Sequence, residues 1–218
     1  MINIKDILTI ALKERSIFHS EADFQHHLAW KIHKEFEDVE LRLEYPLSKN
    51  NSNRWEYCDI LLRLPCNIGI ELKYKTKFMN IDIDGEQFEL KNQSAQDVGR
   101  YDFLKDVSRL ENWSERGQIG SGCAIFLTND HTYWTHPRYA NTVDKDFRIH
   151  ESKIVSGELA WGKKASAGTM KSRENPITLR NKYSLKWDDV PRSNFKYLLL
   201  LVNSANKSMQ PTTRASAD

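Results

Sequence analysis

Trp55-Glu-Tyr-Cys-Asp-Ile-Leu-Leu-Arg-Leu-Pro-Cys-Asn-Ile-Gly-Ile-Glu-Leu-Lys-Tyr-Lys75 reads as two strands joined by a turn at Pro65-Cys66-Asn67. In the first strand, Trp55–Leu64, alternation puts Tyr57, Asp59, Leu61 and Arg63 on one face and Cys58, Ile60, Leu62 and Leu64 on the other. In the second, Ile68, Ile70 and Leu72 oppose Glu71 and Lys73. A hairpin turning near Pro65–Cys66 sets Asp59 about opposite Leu72 or Lys73. Asp59, Glu71 and Lys73 then come within reach of one another, provided Asp59 shares their face. Charges facing inward on two apolar strands need a chemical reason.

Working outward, residues 3–14 have the spacing of an amphipathic helix, with Ile4, Ile7, Leu8 and Ala11 on one side. Ser20, with Asp23 three residues on, opens a second helix whose stripe is Phe24, Leu28, Ile32 and Phe36. Extended backwards, that stripe reaches Glu21, at the edge of the packing face. Val39–Pro46 follows, then a polar loop over Ser48–Arg54. Residues 79–92 read as polar loop. Ser94 and Asp97 suggest a cap for a helix running to about Glu111, with Phe103, Leu104, Val107 and Leu110 buried and Gln96 and Arg100 continuing the stripe. Cys123–Thr128 and Phe195–Val202 are apolar runs of buried-strand length. The stretch 135–190 is expected to be a β-rich excursion. Together these elements predict an α/β (α+β) fold: one domain over 1–203, with a central mixed sheet flanked by helices. The small polar residues of 204–218 predict a disordered tail.

The chain has 218 residues, 39% hydrophobic and 28% charged, the profile of a globular chain with a full core. Its longest apolar run, Tyr197–Val202, is far too short to span a bilayer, so no membrane is expected as a partner. The opening Met1-Ile-Asn-Ile-Lys-Asp carries no basic segment followed by a long apolar one, so no secretory signal is expected. Cys58, Cys66 and Cys123 form no metal-type pair, and their apolar flanks predict reduced core thiols in a cytoplasmic protein.

Asp59, Glu71 and Glu21 brought together would repel unless a cation or proton separates them. Carboxylate and carbonyl oxygens suit Mg²⁺, with Mn²⁺ as a substitute, and such an ion keeps waters for a substrate. Lys73, two residues from Glu71, points into the same space. There it can orient or help deprotonate a water and offset developing negative charge. Glu21 has a plainer reading, as an acid favouring the N-terminus of its helix. The adjacent His26 and His27 point in different directions, which disfavours a shared metal.

The ordered set resembles the PD-(D/E)xK nuclease superfamily, the restriction-endonuclease-like fold. The resemblance runs over about residues 16–130. It is carried by Glu21 in Ser20-Glu-Ala-Asp-Phe-Gln-His-His-Leu, Asp59 in Glu56-Tyr-Cys-Asp-Ile-Leu-Leu, Ile70-Glu-Leu-Lys-Tyr, and the helix after Gln93. Cys58 stands where the motif's name has proline. The resemblance implies Asp59, Glu71 and the Leu72 carbonyl as metal ligands, Lys73 as catalytic and Glu21 as an accessory acid. It also implies Gln93 and Gln96 at the substrate backbone or the carboxylates. Arg100 is a further substrate candidate, with a simple pair to Asp97 as its plainer reading.

Charge distribution adds a second signal. The chain is +2 overall, yet nine bases and three acids lie between Lys163 and Lys196. Lys163, Lys164, Arg173, Arg180 and Lys182 are therefore candidates for phosphate contacts. Trp161, Tyr183 and Trp187 among them suit base stacking or, equally, hairpin packing. The expectation is a Mg²⁺-dependent nuclease acting on DNA rather than RNA, with a homodimer as the family's frequent form. The rival is a non-catalytic nucleic-acid-binding or protein-interaction module of the same fold. The tail 204–218 resembles the read-through peptides of integron gene cassettes, which implies a mobile-element setting such as defence, restriction or repair.

Overall fold

The computed structural model describes residues 2–50 and 53–203. The tail expected to be disordered lies outside these described residues. Helices α1 (Ile4–Glu14) and α2 (Glu21–Glu35) come first, then strands β1 (Glu40–Lys49), β2 (Trp55–Arg63) and β3 (Ile68–Lys75). Hairpin β4 (Met79–Ile83) and β5 (Glu86–Leu90) leads to the long helix α3 (Gln96–Glu115) and strand β6 (Ser121–Thr128). The remainder comprises β7 (Ile154–Leu159), a short helix α4 (Ala167–Met170), β8 (Ile177–Ser184), β9 (Trp187–Asp189) and β10 (Lys196–Asn203).

Six strands form one mixed sheet in the order β1-β2-β3-β6-β10-β9. Strand β3 runs parallel to β6, and every other neighbour is antiparallel. The parallel pair needs a crossover, and α3 supplies it. Helices α1 and α2 bury Leu8, Leu12, Phe24, Leu28 and Ile32 against the face carrying Ile60, Ile70, Leu72 and Ile125. Helix α3 and the β7–β8 hairpin cover the opposite face through Phe103, Leu110, Trp113, Phe126 and Leu179. This is the α/β arrangement expected from the sequence. No helix among the described residues is long and apolar enough to cross a membrane.

Local chemistry explains most boundaries. Asn3 caps α1 by accepting from Lys5 N and Asp6 N. Ser20 caps α2, its hydroxyl accepting from Asp23 N, as its position in the sequence predicts. Asp23 turns back one residue further than a capping box requires, accepting from His19 N.

Three expectations are corrected. Residues 79–92 are a hairpin rather than a loop. Asp84-Gly85 takes positive φ at both positions, the turn that matches strand twist, and Phe88 and Leu90 are buried. Helix α3 is not capped by Ser94: its N-cap is Ala95, in left-handed conformation and without a side-chain bond. Cys66 is exposed, whereas Cys58 and Cys123 are buried.

The excursion at 135–190 does contain a β-hairpin, and its aromatics are packing residues. Tyr183 and Trp187 are buried, the Trp187 indole donates to Ile149 O, and Trp161 stacks on Tyr101.

Candidate active site

The site forms where β2 leaves β3. Their ladder runs only through Leu62–Ile68, Leu61–Gly69 and Ile60–Ile70. Beyond it, β1 and β2 stay paired but invert their faces across Glu44 and Asp59. Leu62 and Ile60 pack on the α1/α2 side, whereas Cys58 and its neighbour Tyr45 pack on the α3 side. Glu44 adopts φ +48°, a conformation strained for a residue with a Cβ and of a kind that gathers at functional sites. Gln25 of α2 pins the kink, its amide donating 2.8 Å to Glu44 Oε1 and 2.8 Å to Asp59 O. The simple alternation expected along 55–64 therefore holds only from Ile60 onward.

This departure leaves two β3 amides without a neighbouring strand, and carboxylates take them. Asp59 Oδ2 accepts from Leu72 N at 2.6 Å, and Glu21 Oε2 accepts from Tyr74 N at 2.7 Å. Buried backbone donors demand partners, so the gap in the ladder itself holds both acids at β3. Glu21 is thus more than a first-turn acid. The N-cap of α2 aims it at the strand.

Glu71 and Lys73 project from β3 onto α3, where two unforeseen residues meet them. Arg109 Nη2 lies 2.5 Å from Glu71 Oε2 and 3.0 Å from Asp106 Oδ1. Lys73 Nζ lies 3.1 Å from Asp106 Oδ2. The Glu71 side chain is only 2% exposed, and its second oxygen, Oε1, has no hydrogen-bond partner among the described residues. Arg109 Nε is likewise buried without a partner there.

Burial and crowding set the protonation states. Burial pushes the Asp59 carboxyl up to about 7, against the bond from Leu72 N, with the Asp106 charge adding to the rise. Burial drives Glu71 well above the carboxylate range; Arg109 pulls it down, and Asp106 and Asp59 push it further up. For Lys73, burial favours the neutral amine, but Asp106 and Glu21 more than offset it and hold the ammonium above its ordinary value. Lys73 therefore remains charged across the physiological range. A held ammonium suits the part of the expectation in which Lys73 orients a water and offsets developing negative charge.

The glutamines and Arg100 fall elsewhere. Gln93 closes the end of β3, its side-chain Oε1 accepting from Thr76 N and its backbone N–H donating to Thr76 O. Gln96 donates to Asp130. Arg100 is 4% exposed and is held by Asp144 and Thr132 O, not by Asp97. None of the three hydrogen-bonds to the Asp59–Glu71 carboxylates.

The basic segment divides in two. Arg173 makes a two-point bond to Asp102, and Arg180 pairs with Glu115 and Asn112, so both tie the β7–β8 region to α3. Lys163, Lys164 and Lys182 are exposed.

Asp106, Arg109 and Gln25 were not legible as site residues. Gln25 sits four residues from Glu21, on the same helix face. Asp106 lies three residues after the buried Phe103, and Arg109 three after Asp106. An acid on a helix's packing side with a base one turn on was the available signal.

Among the described residues, no group of three or more His, Cys, Asp or Glu side chains is arranged to hold a metal ion. No family model matches this chain, and no curated protein or solved structure matches it either.

Proposed function

We propose that this protein is a metal-dependent phosphodiesterase acting on nucleic acid, DNA before RNA, of the PD-(D/E)xK kind that its sequence resembles. One observation carries the reading. A buried and a half-buried carboxylate on neighbouring strands, Glu71 and Asp59, stand beside a lysine whose acidic neighbours favour its charged form, and Glu71 Oε1 has no donor among the described residues. A structural carboxylate that deep is ordinarily bonded to capacity.

The donor set fits a hard divalent cation: Asp59 and Glu71 would hold it together with the Leu72 carbonyl, with Glu21 beside them. Mg²⁺ or Mn²⁺ bound there would supply Lewis acidity and lower the pKa of a coordinated water. The chain's own residues do the remainder. Lys73 presents fixed positive charge to the phosphoryl oxygens as negative charge grows on them. Asp106 holds that ammonium in place, and Leu72 N and Gln25 fix Asp59 from two directions. Lys163, Lys164 and Lys182 are exposed bases available for phosphate contacts, which give affinity and salt dependence without sequence reading.

The test is to incubate supercoiled plasmid, linear duplex and single strands with the protein in EDTA, Mg²⁺ or Mn²⁺, beside Lys73→Ala. Metal-dependent nicking that the variant loses supports the reading. Cleavage that survives in the variant removes the site from it.

The rival, a binding module without catalysis, is favoured by the ion pair of Arg109 with Glu71, which already neutralises one ligand from within. It predicts salt-sensitive DNA binding that neither metal nor EDTA alters.

A further inference from the structure

Glu71 is the most enclosed acid of the site, and its partner comes from inside the protein. Arg109 reaches it from the middle of α3 and stacks over Trp113, its Cζ 5.2 Å from the ring centroid. The guanidinium bridges two acids, at 2.5 Å to Glu71 and 3.0 Å to Asp106. Asp106 lies one helical turn away on the same helix, so Arg109 can release Glu71 without losing an anionic partner or unwinding α3. The stem over Trp113 serves as a pivot for that shift. Two polar atoms are left idle by the present arrangement, Glu71 Oε1 and Arg109 Nε. Both are buried, and an unmet buried polar atom costs stability. An arrangement in which a divalent cation takes Glu71 and Arg109 turns fully onto Asp106 removes the first deficit.

We propose that Arg109 is a built-in counter-cation: it occupies Glu71 while the site holds no metal, yields that carboxylate to an incoming divalent cation, and moves onto Asp106. The proposal rests on the metal-dependent reading of the site. It makes Arg109 a positioning residue that sets metal affinity and keeps the acid cluster from repelling itself when empty. Because Asp106 also holds Lys73, the arriving arginine shares that carboxylate, and Lys73 gains freedom to swing toward substrate once the cation is in place.

The experiment is a calorimetric Mn²⁺ titration of the full-length protein, with melting temperature recorded with and without Mn²⁺. Asp59→Asn identifies the site. Arg109→Met keeps much of the stem over Trp113 and removes the competing charge. It should bind Mn²⁺ more tightly, on the order of tenfold. It should also melt lower than wild type without metal and recover most of the difference with metal. Arg109→Lys, which retains a charge but lacks the planar guanidinium that stacks over Trp113, should fall between the two and serves if the methionine variant does not fold.

Wild-type binding that Asp59→Asn abolishes, with no gain in the Arg109 variants, overturns the counter-cation role and leaves the metal-dependent reading standing. Absence of Mn²⁺ binding in both wild type and the Arg109 variants overturns both. Binding by an Arg109 variant alone supports the proposal in its strongest form.

Discussion

Helix α3 carries two buried acids five residues apart, and they live differently. Glu111 is 3% exposed and bonded to capacity: it accepts from Arg180 N, Asn181 N, the Asn181 amide and the Tyr183 hydroxyl. All four donors are neutral and come from β8, and the bonds dock the β7–β8 hairpin on the helix. Asp106 is 7% exposed, and its partners are two cations, Lys73 and Arg109, the second of which it shares with Glu71. One acid is finished by backbone and hydroxyl donors. The other belongs to a cluster of four acids and two bases in which a carboxylate oxygen is left over. Satisfied acids hold a fold together, whereas the crowded, under-bonded set is the one to which the proposal assigns chemistry.

The sharpest way to break this contrast is catalytic. Asp59→Asn and Lys73→Ala should each lower metal-dependent nicking by roughly 10²–10⁴-fold while leaving the circular dichroism and melting of the protein near wild type. A comparable loss of folding instead would make Asp59 and Lys73 structural, like Glu111. The converse variant is Glu111→Ala. It strands several buried donors and should cost about 3 kcal/mol in urea unfolding, with the activity of the folded fraction unchanged.

Acidity sharpens the comparison further. The Asp59 carboxyl titrates near 7 in the folded protein and near 3.8 when free. Between those values the folded state holds the extra proton, so stability falls as pH rises from about 4 to about 7 and levels off above. The loss should be on the order of 4 kcal/mol, and Asp59→Asn should flatten that part of a melting curve measured against pH without metal. The smallest effect is expected at Arg173. Its bond to Asp102 is partly exposed on both sides, and Arg173→Ala should cost under about 1 kcal/mol in unfolding. A substantial fall in DNA affinity in that variant would return Arg173 to the substrate side. Comparable loss on replacing Lys163, Lys164 and Lys182 together would assign binding to the exposed lysines.

Much of the sheet was legible because its strands are apolar runs closed by turns, and α2 because Ser20 caps it. The hairpin at 79–90 was hidden by charges on its exposed face. Its signal was the Asp84-Gly85 pair between alternating Ile81, Ile83 and Phe88. The start of α3 was misplaced because a left-handed Ala95, not a side-chain cap, begins it. Within the site, Glu21, Asp59, Glu71 and Lys73 could be named in order from spacing alone. The kink at Glu44 and Asp59 could not, since it departs from the alternation used to find the strands. Nor could Arg109, whose partner lies 38 residues away in sequence and is met only once the crossover has folded.

The gap in the β2–β3 ladder also supplies a gauge. Amide protons on a strand exchange slowly with solvent because a neighbouring strand holds them. Those of Leu72 and Tyr74 are held by the carboxylates of Asp59 and Glu21 instead. Their exchange rates therefore follow the occupancy of two side-chain bonds rather than the opening of the sheet. Whatever draws those carboxylates away, an ion or an added proton, quickens deuterium uptake at two backbone positions while Ile70, still facing Ile60, stays protected.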